Sequence, residues 1–329
     1  MYTIEEAIGK SQDVLHKNLL GTGIGIQRLT GYLASATGKG LRARLLLICA
    51  TNENNMIHPD AVKIAAAIEI LHLASLVHDD VMDGATTRRG IQTLNDRFDS
   101  KTAVIAGDYL LSIAIKTISD IDHKRIDMDN HMPFLPKISR MLMSLARGEY
   151  TQYANLGNTE INLLTYFKII SGKTASIFYV SCAIGAILAN EETEKVKNLA
   201  RFGHALGMAF QIIDDIKDYE WNEKEAGKNI ESDLKNGVIT LPIILTMKKN
   251  PEIKFALKEA IKLKKDMQDM VKFVQNNGSI KETSELSRRY MFLCQKNLYD
   301  ISEYKKNNLI KIIDSIDVAN AMPMAGGAN

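Results

Sequence analysis

The chain has few cysteines and few prolines, and both shortages narrow the folds open to it. Its three cysteines, at 49, 182 and 294, lie far apart in 329 residues, so they form neither a disulfide framework nor a zinc-ligand spacing. Only six prolines interrupt the chain. Apolar residues seldom alternate with polar ones and instead recur every three or four positions, which indicates helix almost throughout. We therefore predict an all-α fold.

An excess of charge of one sign is also missing. Forty-one Lys and Arg stand against 39 Asp and Glu, a net charge of +2, which argues against a nucleic-acid binder that relies on overall charge. The chain starts with Glu5 and Glu6 where a signal peptide would be basic and then apolar. The longest apolar stretch, 175–189, is shorter than the about 20 residues that span a bilayer. We expect a cytoplasmic protein with no transmembrane segment and no nucleic-acid partner.

Two predicted helices have the composition of helices at the centre of a bundle. The segment from Pro59 to Met82 is apolar on most faces, and so is 175–189, as expected where other helices surround them. No long low-complexity linker divides the chain. We predict one large helical bundle over residues 1–318 and a flexible tail over 319–329.

Local signals mark where two helices begin. In a capping box, a Ser or Thr side chain bonds to the backbone three residues on, and the Glu there returns the bond. Thr3 with Glu6 and Ser279 with Glu282 have this spacing, so we predict a helix start at each place.

The strongest chemical signal is the pattern Asp-Asp-x-x-Asp, which occurs at 79–83 and again at 214–218. On a helix the first and last Asp of each pattern project from one face. Both clusters end long apolar stretches, where crowded carboxylates are unfavourable unless cations neutralise them. Carboxylate oxygens suit Mg²⁺, which fills the rest of its shell with water and substrate phosphates. The alternative for a single cluster is an ordinary solvated helix end.

Basic residues near both clusters indicate a diphosphate site, since cations take up the phosphate charge that a metal leaves. Taken alone, any of these basic pairs is more often an ordinary part of the solvated surface. They are Lys39 with Arg42, Arg88 with Arg89, Lys173 beside Thr174, and Lys228. Gly172-Lys-Thr is no Walker loop, because it lacks the upstream glycine. A lone histidine in an apolar helix, such as His72, is usually a core residue. Glu69-x-x-His72 matches half of a di-iron carboxylate motif, but the sequence contains no second Glu-x-x-His, so a di-iron site is excluded.

Together these residues resemble the trans-isoprenyl (polyprenyl) diphosphate synthase family over roughly residues 25–245. Two stretches carry most of the resemblance: 76–90, with the first Asp cluster and its trailing arginines, and 207–218, which ends in the second. Shorter matches lie at Ala106–Leu110, Gly148–Glu149, Gly172–Thr174, Gly227–Lys228, Asp233–Leu234 and Thr240–Pro242. The resemblance implies a single isoprenoid synthase-like helical bundle with a central active-site cavity.

The resemblance also implies a role for each candidate residue. Three Mg²⁺ ions, bound with the diphosphate substrate, would be held by Asp79, Asp80, Asp83, Asp214, Asp215 and Asp218. The allylic diphosphate would contact Arg88, Lys173, Gln211 and Lys228, and isopentenyl diphosphate would contact Lys39, Arg42, His72 and Arg89. Thr174 and Gln211 would lie beside the developing cation. The implied catalytic set is Asp79, Asp80, Asp83, Arg88, Lys173, Asp214 and Asp215.

The implied activity is a prenyltransferase that condenses an allylic diphosphate with isopentenyl diphosphate in trans and releases diphosphate. Metal and basic residues stabilise the departing diphosphate, the isopentenyl double bond attacks the allylic cation, and an apolar cavity excludes water. The chain departs from the family pattern at Gly40, where Lys or Arg is usual, and at Ala43, where Pro is usual. One basic contact to isopentenyl diphosphate is therefore expected to be missing.

Product length is a separate inference. Leu71, Ser75 and Asp79 form one row on their helix, and the fifth position before the first Asp, bulky in many short-chain members, is Ala74. The stretch 72–76 also resembles long-chain members, including the catalytic subunit of heteromeric heptaprenyl synthases. We predict a long-chain product, with geranylgeranyl diphosphate as the alternative.

Two other functions remain open on the same fold. A terpene cyclase ionises the same substrates but needs no isopentenyl site, so the retained Lys39, Arg42, His72 and Arg89 speak against it. A non-catalytic partner subunit should show eroded aspartates, whereas both clusters are whole. The assembly implied by the resemblance is a homodimer or a heteromer with a small regulatory subunit.

Overall fold

The structure is a computed structural model that describes residues 1–21, 23–34, 38, 40–88, 90–121, 135–220 and 233–317. Three predicted substrate contacts, Lys39, Arg89 and Lys228, lie outside these residues. The predicted tail over 319–329 also lies outside them.

Nearly all regular structure in the described residues is helical, which confirms the all-α prediction. The helices are α1 (Ile4–Leu20), α2 (Ile24–Ala34), α3 (Leu41–Cys49), α4 (Pro59–Asp83), α5 (Leu94–Arg97), α6 (Ser100–Ser119), α7 (Leu135–Tyr153), α8 (Leu163–Ile170), a π-helical turn (Ser171–Ala175), α9 (Ser176–Leu188), α10 (Thr193–Glu220), α11 (Leu241–Lys249), α12 (Ile253–Lys262), α13 (Gln268–Asn276), α14 (Ser279–Lys296) and α15 (Glu303–Asp317). Strands β1 (Thr87–Arg88) and β2 (Ile91–Gln92) pair antiparallel.

The described residues form two compact units. The first unit comprises 1–121, 181–199 and 300–306, and the second comprises 135–180, 200–299 and 307–317. The assignment of residues 1–318 to one domain stays a prediction.

Helix α4 forms the centre of the first unit and carries the first Asp cluster at its end. His58 caps it by accepting a hydrogen bond from the Asp60 N–H, and Pro59 occupies the first turn, where its missing N–H costs nothing. Gly84 ends the helix with φ of 62°, a conformation that favours glycine. Helices α1, α3 and α6 pack around α4, and its buried face confirms the central position predicted from its apolar composition.

In the second unit, α7 crosses the π-helical turn at two glycines. A Cβ on Gly172 would lie 2.6 Å from the backbone oxygen of Ser144, and a Cβ on Gly148 would lie 2.5 Å from the backbone nitrogen of Lys173. No side chain fits at either position without moving a backbone, so glycine is required for this approach. The crossing places Lys173 and Thr174 on a turn held directly against α7.

The two predicted capping boxes have different outcomes. At the start of α1 the Glu6 N–H donates to Thr3 Oγ1 and the Thr3 N–H donates to Glu6 Oε2, which confirms the first. At the second place the predicted helix start is confirmed, because α14 begins at Ser279, but the capping box is wrong: Gly278 is the N-cap, and the Ser279 N–H donates to Asn277 Oδ1 at 2.9 Å. Both side chains bond to another helix instead: Glu282 pairs with Lys249 at 2.8 Å, and the Ser279 hydroxyl accepts a hydrogen bond from the Thr246 hydroxyl.

Among the described residues, three helical segments are longer than the apolar stretch 175–189. By length and composition alone, α4, α6 and the continuous helical segment Leu163–Leu188 could each cross a membrane. The sequence analysis underestimated the length of the third segment, because α8, the π-helical turn and α9 are continuous. Packing within the protein buries 61% of the apolar window of α4 and 72% of that in Leu163–Leu188, but only 33% of that in α6.

Candidate active site

The last turn of α4 holds the first carboxylate cluster, in which Asp80 is buried and paired. Its side chain accepts a hydrogen bond of 2.7 Å from Arg88 Nε. Burial raises the pKa of Asp80 above its usual range, and the charge of Arg88 opposes that shift. The hairpin of β1 and β2 presents Arg88 to the helix end, and Gly90 with φ of 77° lies in its turn. The structure thus joins two sequence-predicted residues, Asp80 and Arg88, in one ion pair.

Asp79 and Asp83 lie on either side of that pair, one helical turn apart on a shared face. Asp79 is half-buried and Asp83 is exposed. The neighbouring His78 ring packs over Gly107 of α6, where a Cβ would lie 2.3 Å from Nε2. Asp108 on the same helix lies 3.5 Å from that nitrogen. Gly107 therefore matches the family pattern for a physical reason: without a side chain, it lets α6 approach the end of α4.

The described residues predicted to bind isopentenyl diphosphate lie on α3 and α4. Arg42 occupies the first turn of α3, and His72 lies two turns before Asp79 on α4; both are half-buried. The Ala43 N–H donates to Glu69 Oε1 at 2.9 Å and ties the two helices together. Proline at position 43 would lack this donor. The departure at Ala43 thus provides a helix-to-helix bond, and Glu69 caps the start of α3.

The second cluster, near the C-terminal end of α10, also has a buried and anchored middle carboxylate. Asp215 accepts from the Tyr166 hydroxyl at 2.6 Å, from Gln211 Nε2 at 3.0 Å and from the Leu241 N–H at 3.4 Å. Burial raises the pKa of Asp215 to about 6, although these three donors act in the opposite direction. Tyr166 was not a candidate from the sequence, since an aromatic residue in an apolar helix is usually core.

Asp214 and Asp218 flank Asp215 and again lie one turn apart on a shared helix face. Asp214 is exposed and Asp218 is half-buried. Burial raises the pKa of Asp218 to about 8, and the carboxylates of Asp214, Asp215 and Asp233 add to that shift. Asp233 matched the family pattern without a role, and its charge makes it part of this anionic group. Such crowding is relieved by a bound cation.

The π-helical turn supplies the remaining candidates in the second unit. Lys173 Nζ lies 2.5 Å from Glu149 Oε1 of α7. The Thr174 hydroxyl donates to Gln211 Oε1 at 2.7 Å, and Gln211 in turn donates to Asp215. A single chain of hydrogen bonds therefore joins three sequence-predicted residues, Thr174, Gln211 and Asp215. π-Helical turns are rare and often occur at functional sites.

Both clusters share one design: the middle Asp is buried and bonded to donors, and the outer two form a carboxylate pair on one helix face. The donor set is all oxygen, which fits Mg²⁺ better than a transition metal. Within the described ranges no group of three or more His, Cys, Asp or Glu side chains is arranged to hold a metal ion.

An all-helical fold with two such clusters beside Arg and Lys side chains defines the class: enzymes that act on diphosphates. A model of the family described as polyprenyl synthetase matches residues 25–277. The chain belongs to this family and is a prenyltransferase. The resemblance drawn from the sequence is confirmed.

Named relatives and solved structures agree with this membership. Heptaprenyl diphosphate synthase component 2 from Bacillus subtilis (strain 168) is 32% identical over 262 residues, which is 79% of this chain and 72% of the relative. The solved heptaprenyl diphosphate synthase from Staphylococcus aureus has a TM-score of 0.85 at 27% identity and covers 96% of this chain and 98% of its own. A polyprenyl synthase from Caulobacter crescentus CB15, complexed with calcium and isoprenyl diphosphate, has a TM-score of 0.83 at 25% identity, covering 95% and 94%.

Proposed function

We propose that the chain condenses an allylic diphosphate with isopentenyl diphosphate repeatedly, in trans, to make a long-chain polyprenyl diphosphate. The observation that carries this proposal is the shared design of the two clusters, with paired outer carboxylates and an anchored middle one. Carboxylate pairs at two sites suit a diphosphate that must bind through metal ions and leave as an anion.

The outer carboxylates would hold the metal. We assign Asp79 with Asp83, and Asp214 with Asp218, to Mg²⁺, for which the family resemblance implies three ions. The complex of the Caulobacter polyprenyl synthase with calcium and isoprenyl diphosphate supports a divalent ion next to the substrate. When bound, Mg²⁺ stabilises negative charge on the departing diphosphate. Asp80 and Asp215, predicted as ligands, would act chiefly by fixing Arg88 and Gln211, because both carboxylates already accept bonds from these residues.

The chain's own residues would position the two substrates. Arg88 and Lys173, each held by a carboxylate, would bind oxygens of the allylic diphosphate. Arg42 and His72, with Lys39 and Arg89, would bind isopentenyl diphosphate, and Lys228 would add a contact to the allylic substrate. The allylic C–O bond breaks, a C–C bond forms to the terminal isopentenyl carbon, and the released diphosphate takes the proton lost from that unit. Thr174 and Gln211 would present oxygen dipoles to the cation.

A product assay tests this function. Purified chain with Mg²⁺ and isopentenyl diphosphate would receive dimethylallyl, geranyl, farnesyl or geranylgeranyl diphosphate in turn, and mass spectrometry would read the products. We expect a ladder of prenyl diphosphates that ends well beyond twenty carbons. A ladder that stops at geranylgeranyl diphosphate would refute the long-chain assignment. Hydrocarbons formed without isopentenyl diphosphate would identify a cyclase instead.

The variant Ala74→Phe tests how product length is set. Ala74 is buried one helical turn and a residue before Asp79, so a phenyl ring there would block a chain growing along α4. We expect the product distribution to shift to shorter chains while the first condensation is retained. Overpacking costs typically 1–3 kcal/mol, so thermal unfolding must be measured beside the assay. An unchanged ladder from a folded Ala74→Phe variant would place the wall elsewhere.

Assembly as a homodimer is the favoured arrangement. Helix α6 exposes Val104, Ile105 and Ile115 by 40%, 59% and 48%, an apolar face that a second copy would cover. The alternative partner is a small regulatory subunit, which the name "component 2" of the Bacillus subtilis relative supports. Sedimentation of the purified chain alone, together with its activity, distinguishes the two. Location in the cytoplasm is also part of the proposal.

Tyr166→Phe tests whether the anchor of Asp215 matters for turnover. The change removes one of three donors to a buried carboxylate, and burial keeps the Tyr166 hydroxyl protonated by raising its pKa. We expect kcat to fall by about tenfold and the free energy of unfolding by about 1–3 kcal/mol. Tyr290→Phe, a half-buried tyrosine with no part in the cluster, is the control. Full activity in Tyr166→Phe at normal stability would show that the bond has no role in positioning.

A further inference from the structure

A cavity of about 840 Å³ lies wholly within the second unit. Its walls come from α7, α8, the π-helical turn, α9 and α10, with Tyr290 of α14. None of the candidate site residues that the structure describes lines it. Its volume is within the range of about 300–1,000 Å³ that small-molecule sites occupy.

All of the permanently charged side chains that line this cavity are cations. They are Lys137, Arg140, Arg147 and Lys168. No carboxylate lines the cavity, and none of the four forms an ion pair within the described part of the chain. Burial lowers the pKa of Lys137, and the nearby charge of Arg140 adds to the shift. In a chain with 41 basic and 39 acidic residues, four uncompensated cations around one cavity indicate an anionic ligand.

The same cavity also has a buried apolar wall. Met141 and Met208 are each 2% exposed and Val180 is 3% exposed. The rings of Phe167 and Tyr290 stack at a tilt with centroids 6.1 Å apart. Burial lowers the pKa of His204, so that residue adds no permanent charge, and its Nε2 lies 2.8 Å from Ser171 Oγ. The site therefore combines a cationic rim with an apolar floor.

We propose that this cavity binds a phosphate-bearing amphiphile, with the head on Arg140 and Arg147 and the hydrocarbon chain against Phe167 and Met208. Each guanidinium group can bind two phosphate oxygens at once, and the aromatic and methionine side chains can pack against a flexible hydrocarbon chain. A prenyl diphosphate, which is both substrate and product of the proposed reaction, is an amphiphile of this kind. That identification of the ligand rests on the proposed function.

The position of the cavity explains why such a ligand would matter. Ser171 and Gly172 line it and directly precede Lys173, and Gly148 lines it next to Glu149. A bound chain would lie against the backbone of the turn that carries Lys173 and Thr174. The site would be separate from the Asp clusters and in contact with the element that presents the substrate-binding lysine.

Metal dependence separates this site from the allylic diphosphate site at the Asp clusters, and the arginine variants described next separate it from the isopentenyl diphosphate site. Farnesyl diphosphate binding would be measured by calorimetry in excess EDTA, where the Asp clusters hold no divalent ion, and again with Mg²⁺. We expect about one farnesyl diphosphate per chain to bind without metal. Inorganic diphosphate and farnesol should each bind at least about tenfold more weakly, because the first lacks the hydrocarbon chain and the second lacks the phosphates.

The double variant Arg140→Ala/Arg147→Ala should weaken metal-free binding by about 100-fold, since each charge-assisted contact is worth about tenfold or more. Both arginines are exposed, so the fold and the Mg²⁺-dependent condensation should be retained. Lys258→Ala/Lys262→Ala removes two exposed cations from α12 of the same unit and is the matched control. That control should bind farnesyl diphosphate as the parent does.

Two outcomes would overturn the proposal: no metal-free binding by a chain that condenses normally with Mg²⁺, or binding that the double arginine variant leaves unchanged. Loss of condensation with metal-free binding intact would instead refute the proposed function. Phosphatidylglycerol vesicles provide the other source of the same chemistry. Arginine-dependent sedimentation with these vesicles, without binding of farnesyl diphosphate, would overturn the prenyl diphosphate as ligand.

Discussion

Asp79→Asn and Asp83→Asn should each lower kcat/KM by about 10³-fold, and high Mg²⁺ should recover part of the loss. A metal that stabilises a leaving anion contributes several kcal/mol, and each 1.4 kcal/mol is a factor of ten. Removal of one outer carboxylate weakens the metal site, so a raised Mg²⁺ concentration compensates by mass action. The measurement is a Mg²⁺ titration of the condensation rate for each variant.

Asp80→Asn gives the matched comparison in the same turn. Its carboxylate is bonded to Arg88, so its loss should release the guanidinium and raise KM for the allylic diphosphate. Added Mg²⁺ should not restore that loss. The opposite pattern, with Asp80→Asn rescued by metal and Asp79→Asn not rescued, would contradict the assignment of outer carboxylates to metal and of the middle one to Arg88.

Gly172→Ala should cost about 2–4 kcal/mol in the free energy of unfolding and most of the activity. The new Cβ would lie 2.6 Å from the backbone oxygen of Ser144 and 3.1 Å from Gly148 Cα. Backbone atoms cannot move aside as a flexible side chain does, so α7 and the π-helical turn must separate. Lys173 directly follows Gly172 and would move with it.

Gly9→Ala is the control for that substitution. Gly9 lies exposed within α1, and a Cβ there meets nothing within 4 Å. The same chemical change should therefore stabilise the protein by about 0.5–1 kcal/mol through helix propensity. Chemical denaturation of both variants, with condensation rates, checks the pair. A Gly172→Ala protein as stable and active as the parent would show that the close crossing is not needed.

Much of the fold and of the candidate site could be predicted from the sequence, because local pattern determines them. The three- and four-residue apolar spacing produces helices, and the spacing of the Asp clusters places their outer carboxylates on one helix face. The boundaries of α4 followed from Pro59 and from the end of the apolar run. These features depend on residues close together in the chain.

Features that depend on contacts between distant segments could not be predicted. Tyr166 and Asp215 are far apart in sequence, and only the packing of α8 on α10 reveals their bond. The ion pair of Lys173 with Glu149 likewise depends on the crossing at Gly148 and Gly172. The capping box predicted at Ser279 was wrong for the same reason, since its partner Glu282 forms an ion pair with Lys249 of another helix.

The most direct test of the central claim is the dependence of condensation on divalent metal. Purified chain would be freed of metal with EDTA, given farnesyl diphosphate and labelled isopentenyl diphosphate, and assayed before and after addition of Mg²⁺. The two carboxylate clusters predict no elongation in EDTA and a full product ladder once Mg²⁺ is restored. Elongation at an unchanged rate in EDTA, or consumption of farnesyl diphosphate with no incorporation of label, would contradict the claim.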